Sequence, residues 1–379
     1  MSKFDDIRPF YDTEVNDALR KVARDPIMKA VMNFTFPDMT DEEWIQQLYK
    51  THSIRDFQIN FIYHAINMVL NKSSDGLTTS GFENLKPNTA YLFISNHRDI
   101  ILDTSLLNYS LYKNGFKMTT SAIGDNLVKN PFLLTLSRVT RNFIVKRGLP
   151  SRELLESSKL MSEFIKDSIM HENRSVWMAQ REGRTKDGND ATHKGVLKMI
   201  AMAKDGMTDM EYFKRLKIVP VSISYELDPT DILKMPELLA RSKTEPYVKN
   251  PNEDFVTLRS GIMGQKKGIH IHVGKVLDDE IDDIVLKHPS TNKQLQALCD
   301  IIDEVIHANY RLWPTNYIAH DLLYQSNQYN TYYTADEKEA FEKRLYEGVD
   351  TSDEMAVKHF LAMYANPVTN QTALKTSQA

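Results

Sequence analysis

Apolar residues in the first part of the chain repeat every three to four positions, which is the spacing of one helix face. The repeat is clearest over residues 54–70, where the apolar positions are Ile54, Phe57, Phe61, Ile62, Ala65, Ile66, Val69 and Leu70. A turn-forming run at residues 72–76 then ends the pattern. The sequence therefore predicts an N-terminal helical region, residues 1–75, that caps a main domain.

Four short apolar runs farther along the chain have the length and composition of buried β-strands. They lie at residues 90–94, 175–179, 218–223 and 268–273. Helical patterns, such as those at residues 153–171 and 194–204, lie between them. Strands that alternate with helices predict an α/β fold, with a sheet covered by helices on both faces.

The C-terminal part of the chain is predicted to be helical. A helical pattern runs from residue 278 to about Tyr310, and Pro314 separates it from a further helical stretch. Residues 369–379 are mostly polar and are predicted to be frayed. We predict a main domain at residues 76–330 and a C-terminal helical extension with a polar tail at residues 331–379.

The composition is that of a globular protein, with 41% hydrophobic and 26% charged residues among 379. The formal net charge of -4 shows no basic excess, so nucleic acid is not a predicted partner. Charge is uneven, however, because residues 113–184 contain 13 Lys or Arg and 7 Asp or Glu. This local excess of positive charge would attract an anionic substrate.

A single cysteine, Cys299, excludes an intrachain disulfide and any metal site that needs several cysteines. Residues 1–6 carry acids where a secretory signal would carry bases. No apolar run approaches the length of a membrane span, and the best candidate is residues 61–70. We therefore predict a cytoplasmic protein whose contact with a membrane, at its inner face, is peripheral.

The segment from Asn96 to Asp103 directly follows the predicted strand at residues 90–94. Strand ends are where α/β enzymes place reactive groups. His97 near Asp99 and Asp103 has the parts of a general base, an imidazole and an acid that orients it. In the alternative interpretation Asp99 caps a helix and Asp103 lies on its surface.

Glu182, Gly183 and Arg184 follow the predicted strand at residues 175–179. The planar guanidinium of arginine matches phosphate oxygens, and glycine lets the backbone approach a ligand closely. These residues suggest a phosphate-binding turn. A charged surface turn is the alternative.

Three further cations are candidates for the same anion. Lys146 and Arg147 end an apolar run, and Lys194 follows His193. Each could contribute positive charge to a phosphate site. A strand with a solvated basic end explains Lys146 and Arg147 equally well.

No metal or nucleotide cofactor is predicted. His270 and His272 alternate on one face of a predicted strand, but no third ligand lies nearby in the sequence. The glycine-rich phosphate and dinucleotide motifs are also absent from the sequence.

Taken in order, four segments resemble the sequence blocks of the glycerol-3-phosphate and lysophosphatidic acid acyltransferase superfamily. The segments are residues 96–103, residues 143–147, Glu182-Gly183-Arg184 and Val219-Pro220-Val221. Arg98 after the histidine, and residues 223–226 after the proline, are more similar to the glycerol-3-phosphate and dihydroxyacetone-phosphate acyltransferases. The resemblance implies a mixed α/β sheet covered by helices and an acyltransferase domain at residues 76–330.

The sequence departs from the family pattern at two places. The family has four residues between its histidine and aspartate, whereas five separate His97 from Asp103 and one separates His97 from Asp99. Either acid is therefore a candidate partner for His97. In the third block Arg184 follows Gly183 directly, whereas the family usually has one residue between them.

The resemblance implies direct acyl transfer from acyl-CoA or acyl-carrier protein to a phosphorylated glycerol acceptor. His97 would be the base, oriented by Asp103 or Asp99, and no cofactor, metal or covalent enzyme intermediate is required. The residues implied in substrate binding are Arg98, Lys146, Arg147, Glu182, Gly183, Arg184 and Lys194. The implied product is a membrane lipid, so the helices before residue 70 could face the bilayer. We favour the alternative, in which they pack on the protein.

Two alternatives remain open at this point. The same chemistry could acylate a different lipid acceptor, such as an amino-acid-containing lipid. The chain could also be a lipid-binding protein without catalysis. Convergence of Arg147, Arg184 and Lys194 near His97 would favour the phosphorylated acceptor, and a blocked His97 would favour the binding protein.

Overall fold

Seven β-strands form a single sheet in the computed structural model, which describes residues 2–250 and 252–378. The strands are β1 (Gly76–Ser80), β2 (Leu92–Ser95), β3 (Thr120–Gly124), β4 (Asn142–Val145), β5 (Val176–Ala179), β6 (Ile218–Tyr225) and β7 (Gly268–Val273). Their spatial order is β1-β7-β6-β2-β5-β3-β4. All neighbours are parallel except β6 and β7, which are antiparallel. The predicted mixed α/β sheet is confirmed.

The four predicted strands correspond to β2, β5, β6 and β7, and the apolar run before Lys146 is β4. Strands β1 and β3 were not predicted. Strand β3 has the sequence Thr-Ser-Ala-Ile-Gly, whose small and polar residues break the apolar pattern. Strand β1 lies at an edge of the sheet and is partly exposed, so its residues need not be apolar.

α-Helices cover the sheet and extend beyond it. In the described part of the chain they are α1 (Asp12–Val22), α2 (Pro26–Thr35), α3 (Asp41–Tyr49), α4 (Ile54–Phe57), α5 (Tyr63–Ser73), α6 (Leu102–Lys113), α7 (Pro131–Val139), α8 (Ser151–Met170), α9 (Lys194–Ile200), α10 (Asp209–Leu216), α11 (Asp231–Ser242), α12 (Glu253–Met263), α13 (Asp278–Lys287), α14 (Thr291–Ala308), α15 (Pro314–Leu323), α16 (Ala335–Gly348) and α17 (Glu354–Gln378). A π-helix, Gln58–Ile62, joins α4 to α5.

Alternating side chains of the strands divide the core into two layers. Leu92 and Ile94 of β2 pack with α8, α9, α10, α13 and α14 on one face of the sheet. Phe93 and Trp177 pack with α5 and α6 on the other face. Each large apolar side chain that is fully buried contributes about 1.5–3 kcal/mol to stability. The two layers hold the strand ends rigidly.

The N-terminal helices pack against one another through their apolar stripes. Their core contains Leu19, Trp44 and Phe57, and it also takes in Phe132 and Val139 of α7. The inward packing of these stripes is the interpretation that the sequence favoured. The predicted boundaries at residues 75 and 330 stay predictions.

The C-terminal helices form a fourth apolar cluster together with α11. Residues 369–378, which were predicted to be frayed, continue α17 as helix to Gln378. Contacts with α14 and the segment after it explain this order, because Gln371 Nε2 donates to the carbonyls of His307 and Tyr310 at 3.2 and 3.1 Å. None of the helices that the structure describes is both long and apolar enough to cross a bilayer.

Proline at position 220 lies inside a central strand, although proline is usually confined to edges, ends or bulges. The pairing of β6 with β7 begins only at Val221, and the Pro220 carbonyl accepts a bond from Gly274 N at 2.9 Å. In a strand the N–H and the carbonyl of one residue point to the same side, so an N–H at position 220 would face β7. The β6–β7 ladder does not extend to this position. The strand therefore tolerates proline without losing a ladder bond.

Candidate active site

Asn96 fixes the chain immediately beyond the end of β2. Its buried side chain accepts a hydrogen bond from Ile223 N at 2.8 Å and donates one to Ile223 O at 2.9 Å, both on β6. His97, the next residue, accepts a bond from Thr185 N through its carbonyl at 2.8 Å. These contacts tie the His97 segment to β6 and to the loop after β5, at the carboxyl edge of the sheet.

His97 forms a hydrogen bond with Asp103, not with Asp99. The distance from His97 Nδ1 to Asp103 Oδ2 is 2.7 Å, and the Asp103 side chain is fully buried in the first turn of α6. The same oxygen accepts bonds from Arg98 N and Asp99 N at 2.7 and 3.1 Å. The backbone therefore wraps around the carboxylate, which accommodates the additional residue between His97 and Asp103.

The donors around Asp103 determine the tautomer of His97. Tyr225 OH donates to Asp103 Oδ1 at 2.8 Å, and burial followed by the charge of Asp103 raises the Tyr225 pKa well above its ordinary value. Asp103 therefore acts as an acceptor on both oxygens, and His97 Nδ1 must donate. The His97 side chain is 15% exposed, so the ring is accessible and its Nε2 can accept a proton.

Asp99 bonds the turn that leads into α6. Its Oδ1 accepts bonds from Ile101 N at 2.9 Å and from Leu102 N, the first residue of the helix, at 2.8 Å. This is close to the capping role that the sequence gave as an alternative, but Asp103 is fully buried and does not lie on the helix surface. Its Oδ2 lies against Gly261 of α12, where an added Cβ would collide with it. Burial raises the Asp99 pKa, and the nearby Asp103 raises it further. In the structure Asp103, and not Asp99, contacts His97 Nδ1, and the catalytic role of the pair stays a prediction.

Arg98 points into the protein. It is only 4% exposed, its Nη2 bonds Asp190 Oδ2 at 2.5 Å, and its guanidinium lies over the ring of Tyr310. Lys234 Nζ in turn donates to the Arg98 carbonyl at 3.0 Å. The structure does not support the predicted contact of Arg98 with substrate, because a buried ion pair occupies its guanidinium. Its position instead fixes the backbone beside His97.

Arg184 lies in the loop after β5, on the same edge of the sheet as His97. Gly183, before it, has a φ of 71°, a left-handed conformation that favours glycine. Arg184 Nη1 donates to Thr230 Oγ1 at 3.2 Å. Burial raises the pKa of Asp99, and the positive charge of Arg184 opposes that rise. Arg184 is therefore close enough to interact electrostatically with the segment that contains His97.

Arg147 lies at the carboxyl ends of β3 and β4. Its Nη1 is 3.7 Å from Glu182 Oε1. Its side chain also passes close to Gly124, the last residue of β3, because a Cβ atom added to Gly124 would lie only 2.8 Å from Arg147 Nε. Asn126, after β3, donates to Asp254 of α12 at 3.1 Å. The predicted residues Arg147, Glu182, Gly183 and Arg184 therefore share one edge of the sheet with His97.

Two other predicted contacts lie elsewhere. Lys146 Nζ is 3.8 Å from Asp6 Oδ2, near the N-terminal segment. Lys194 begins α9. Burial raises the pKa of Cys299 to about 12, and the positive charge of Lys194 opposes that rise. Cys299 belongs to the core layer on the opposite face of the sheet from Trp177, which contacts His97 edge-on. Arg147 and Arg184 therefore share the carboxyl edge of the sheet with His97, with Arg147 three strands away at the end of β4, and their convergence on one phosphate stays a prediction.

An apolar cavity of about 800 Å³ begins beside the His97 segment. Ile100, Ile101 and Leu102, which follow Asp99, line one end of it. Its other walls come from α2, the π-helix, α5, the rest of α6, α7, β3, β4 and α12. The cavity is lined mainly by aliphatic and aromatic side chains and has the size of a ligand pocket, about 300–1,000 Å³. It suits an alkyl chain.

Within the described residues no cluster of three or more His, Cys, Asp or Glu is placed to hold a metal ion. His270 and His272 of β7 instead share the hydroxyl of Ser80 on β1, at 3.0 and 2.8 Å. Burial lowers the His270 pKa to about 4 and also lowers the pKa of His272. Both imidazoles therefore hold two strands together.

Sequence reasoning missed two residues that shape the site, Tyr225 and Asp190. Tyr225 ends β6, so its position after a predicted strand was a usable signal. Asp190 bonds both Arg98 and Asn96 from within the loop before α9, at 2.5 and 3.3 Å. No local pattern marks Asp190, because its partners lie more than 90 residues away in the sequence.

Comparisons with known proteins give a family match over part of the chain. Residues 76–224, which span β1 to β6, match the family model described as Acyltransferase. This match confirms the prediction that the chain is an acyl-group transferase. A comparison with curated proteins gave no match. Among solved structures, the 1-acyl-sn-glycerophosphate (LPA) acyltransferase PlsC from Thermotoga maritima is similar at 15% identity and a TM-score of 0.36, covering 77% of this chain and 91% of that one.

Proposed function

We propose that this protein transfers a fatty acyl group from an acyl-CoA or acyl-carrier-protein thioester to a hydroxyl of a phosphorylated glycerolipid precursor. The premise is the acyltransferase domain at residues 76–224. The observation that carries the proposal is the His97–Asp103 hydrogen bond, at the sheet edge shared with Arg184 and beside an apolar cavity. Glycerol-3-phosphate, dihydroxyacetone phosphate and lysophosphatidate are the candidate acceptors.

His97 is the general base in this proposal. Nε2 removes the proton from the acceptor hydroxyl as its oxygen attacks the thioester carbonyl carbon. A carbon–oxygen bond forms, the carbon–sulfur bond breaks, and the imidazolium returns the proton to the leaving thiolate. Asp103 holds the ring in the required tautomer and stabilises the imidazolium, because its carboxylate is buried 2.7 Å from Nδ1.

The acceptor phosphate is proposed to bind at Arg147 and Arg184. Both guanidinium groups lie on the sheet edge that carries His97, and Gly183 lets the backbone approach a ligand. Arginine binds phosphate in a bidentate manner, which would position the acceptor hydroxyl for attack. Arg147 is 37% exposed, so its guanidinium is open to a ligand.

The acyl chain of the donor is proposed to occupy the apolar cavity. The cavity starts at Ile100 and Ile101, next to Asp99, so a thioester carbonyl near His97 would have its alkyl chain directed inward. Burial of each methylene contributes about 0.8 kcal/mol to binding. Because the product is a lipid, peripheral contact with a membrane is part of the same proposal.

The test is an acyl-transfer assay with the three candidate acceptors, comparing wild type with His97→Ala. We expect kcat to fall by about a thousandfold or more, because loss of a positioned base removes this order of rate enhancement. His171→Ala is the matched control, since His171 also bonds an aspartate, Asp167, at 2.8 Å but lies on the surface. Transfer that survives in His97→Ala would refute the mechanism.

A second comparison identifies the acceptor class. Arg184→Met should raise KM for a phosphorylated acceptor by about tenfold or more, because a charge-assisted contact is lost. Arg152→Met is the control, since Arg152 is exposed and pairs with Glu156 on the surface. Efficient acylation of an amino-acid-containing lipid, unaffected by Arg184→Met, would favour the alternative acceptor. Acyl-thioester binding without transfer in wild type would favour the binding protein.

A further inference from the structure

Helix α12, Glu253–Met263, has an unusual distribution of polar and apolar residues. The two residues that it buries fully are Thr257 and Gly261, one polar and one without a side chain. Its exposed side carries Phe255, Val256 and Met263, which are 44%, 48% and 56% exposed. A surface helix of a soluble protein normally shows the opposite arrangement, with its apolar stripe facing the core.

The inner side of α12 is anchored to the active site. Gly261 lies against Asp99 Oδ2, and Asp254 Oδ2 accepts a bond from Asn126 at 3.1 Å. Lys266, which is fully buried, donates to the carbonyls of Ile262 and Gly264 at 2.9 and 2.5 Å, at the C-terminal end of the helix. These contacts hold the helix with its apolar side outward.

The exposed side of α12 continues into the apolar cavity. Leu258 and Ile262 line the cavity, and so do Phe255 and Met263, although both of these are also exposed to solvent. The helix therefore forms part of the rim, with one apolar surface that runs from the exterior into the cavity. An acyl chain that crosses this rim stays in contact with apolar side chains along its path.

The charges on this side suit an anionic surface. Arg259 is the charged residue on the exposed side, one turn from both Phe255 and Met263. The acids of α12 are engaged elsewhere, since Glu253 accepts a bond from Tyr247 and Asp254 accepts bonds from Asn126 and Lys249. Val248, which is 82% exposed, adds a further apolar residue just before the helix.

We propose that Val248, Phe255, Val256, Arg259 and Met263 form a membrane-docking face, through which acyl chains pass between an anionic lipid bilayer and the cavity. The inference rests on the proposed function in that the cavity holds an acyl chain. The apolar side chains insert among the lipids, and Arg259 contacts the headgroup phosphates. The helix that lies against Asp99 is thus also the helix that contacts the membrane.

Vesicle binding tests this face directly. The double variant Val248→Ser/Val256→Ser removes two exposed apolar residues that do not line the cavity. We expect it to bind sedimented vesicles of phosphatidylcholine and phosphatidylglycerol about tenfold or more weakly than wild type. Leu155→Ser/Leu286→Ser is the matched control, because these leucines are 61% and 84% exposed on α8 and α13. Equal binding of the two double variants would overturn the proposal.

A fluorescence measurement gives an independent readout. Trp44, Trp177 and Trp313 are all buried, so a tryptophan introduced by Val256→Trp dominates the response to vesicles. We expect its emission to shift to shorter wavelength on vesicle addition, and Arg259→Gln to weaken binding only to vesicles that contain phosphatidylglycerol. An unshifted emission, or dimerisation that the Val248→Ser/Val256→Ser variant abolishes, would assign the face to another partner and refute membrane docking.

Activity on soluble substrates separates this proposal from the proposed function. The assay offers a short-chain thioester of CoA or of acyl-carrier protein with glycerol-3-phosphate, dihydroxyacetone phosphate or a short-chain lysophosphatidate. The Val248→Ser/Val256→Ser variant should retain wild-type turnover, because it leaves His97 and the cavity lining unchanged. Transfer by wild type without vesicle binding refutes the docking face alone. Vesicle binding that the Val248→Ser/Val256→Ser variant loses, without transfer to any of these acceptors, refutes the proposed function and leaves the membrane-docking face standing.

Discussion

At the scale of single residues, the site is organised around the Asp103 carboxylate. It accepts hydrogen bonds from His97 Nδ1, from two backbone N–H groups and from Tyr225 OH. The imidazole is therefore held in one orientation before any substrate binds. Such preorganisation is what a general base needs, because no reorientation has to accompany proton transfer.

The first prediction concerns the two acids near His97. Asp103→Asn should lower kcat by about 10³–10⁴-fold, the size of the effect when an aspartate that orients a histidine base is changed to asparagine. Asp99→Asn should stay within about tenfold of wild type, because asparagine caps helices as well as aspartate does. Steady-state kinetics of both variants tests this, and a larger loss in Asp99→Asn would contradict the assignment of Asp103.

At the scale of secondary-structure elements, the loop between β5 and α9 connects the two faces of the sheet. Its residues Gly183 and Arg184 lie on the His97 edge, whereas Thr192, near its end, is held by Asp303 of α14. Asp303 accepts bonds from Thr192 N at 2.8 Å and from Thr192 Oγ1 at 2.5 Å. The position of Arg184 thus depends on a loop that α14 anchors.

The second prediction concerns pH and this anchor. Burial raises the Asp303 pKa to about 6, so the folded chain binds this proton more tightly than the unfolded chain does. The associated stability is complete below the unfolded value of about 4 and is lost as the pH rises through 6. Between pH 4.5 and 7, wild type should lose about 2 kcal/mol relative to Asp303→Asn.

Urea unfolding of wild type and Asp303→Asn at several pH values measures this difference. Other groups titrate in the same range, but they do so in both proteins, so their contributions cancel in the comparison. Parallel pH profiles for the two proteins would contradict the prediction.

The third prediction concerns α7 and the depth of the cavity. Leu136 of α7 and Asn142, the first residue of β4, both line the cavity. Because β2 and β4 run in the same direction, Asn142 lies toward the end of the sheet away from His97. Leu136→Trp should therefore shorten the space for an acyl chain, at a cost of about 0.8 kcal/mol for each excluded methylene.

The measurement is kcat/KM for acyl thioesters of increasing chain length. We expect Leu136→Trp to reduce the value for a sixteen-carbon chain by about tenfold or more and to leave an eight-carbon chain nearly unchanged. Leu136→Met keeps the volume of the side chain and is the control. An equal loss at both lengths would show that the cavity does not hold the chain in this direction.

At the scale of the whole molecule, the C-terminal helices are linked to the active-site segment by polar contacts through α11. Asp231, at the start of α11, is bonded by Arg344 of α16 at 2.7 Å and by Tyr364 of α17 at 2.6 Å. Lys234, one turn later, donates to the Arg98 carbonyl beside His97. A chain of buried polar contacts thus connects the last helices to the catalytic segment.

The fourth prediction tests this connection. Arg344→Met removes one partner of the fully buried Asp231 carboxylate and should lower the free energy of unfolding by about 3 kcal/mol, because an uncompensated buried charge is costly. Lys343→Met is the control, since Lys343 pairs with Glu347 on the surface, where such pairs contribute at most about 1 kcal/mol. Chemical denaturation measures both. Equal losses would show that the Asp231 contact is not stabilising.

The sequence alone determined the features that depend on neighbours along the chain. It predicted the helical N-terminal region, four of the strands, the α/β class and His97 with its two candidate acids, because helix and strand periodicity and strand-end position are local properties. It also predicted the cations Arg147 and Arg184, since each follows a strand. The resemblance to an acyltransferase family rests on these same local blocks.

Only the tertiary structure decided the features that depend on contacts between distant segments. It paired His97 with Asp103 and not with Asp99, buried Arg98 against Asp190, packed α9, which begins at Lys194, into the core layer opposite Trp177 and brought Tyr225 to the carboxylate. It also joined eight separate elements around one apolar cavity and turned the apolar side of α12 outward. These outcomes depend on how helices and strands pack, and residues that meet in this way carry no common signal along the chain.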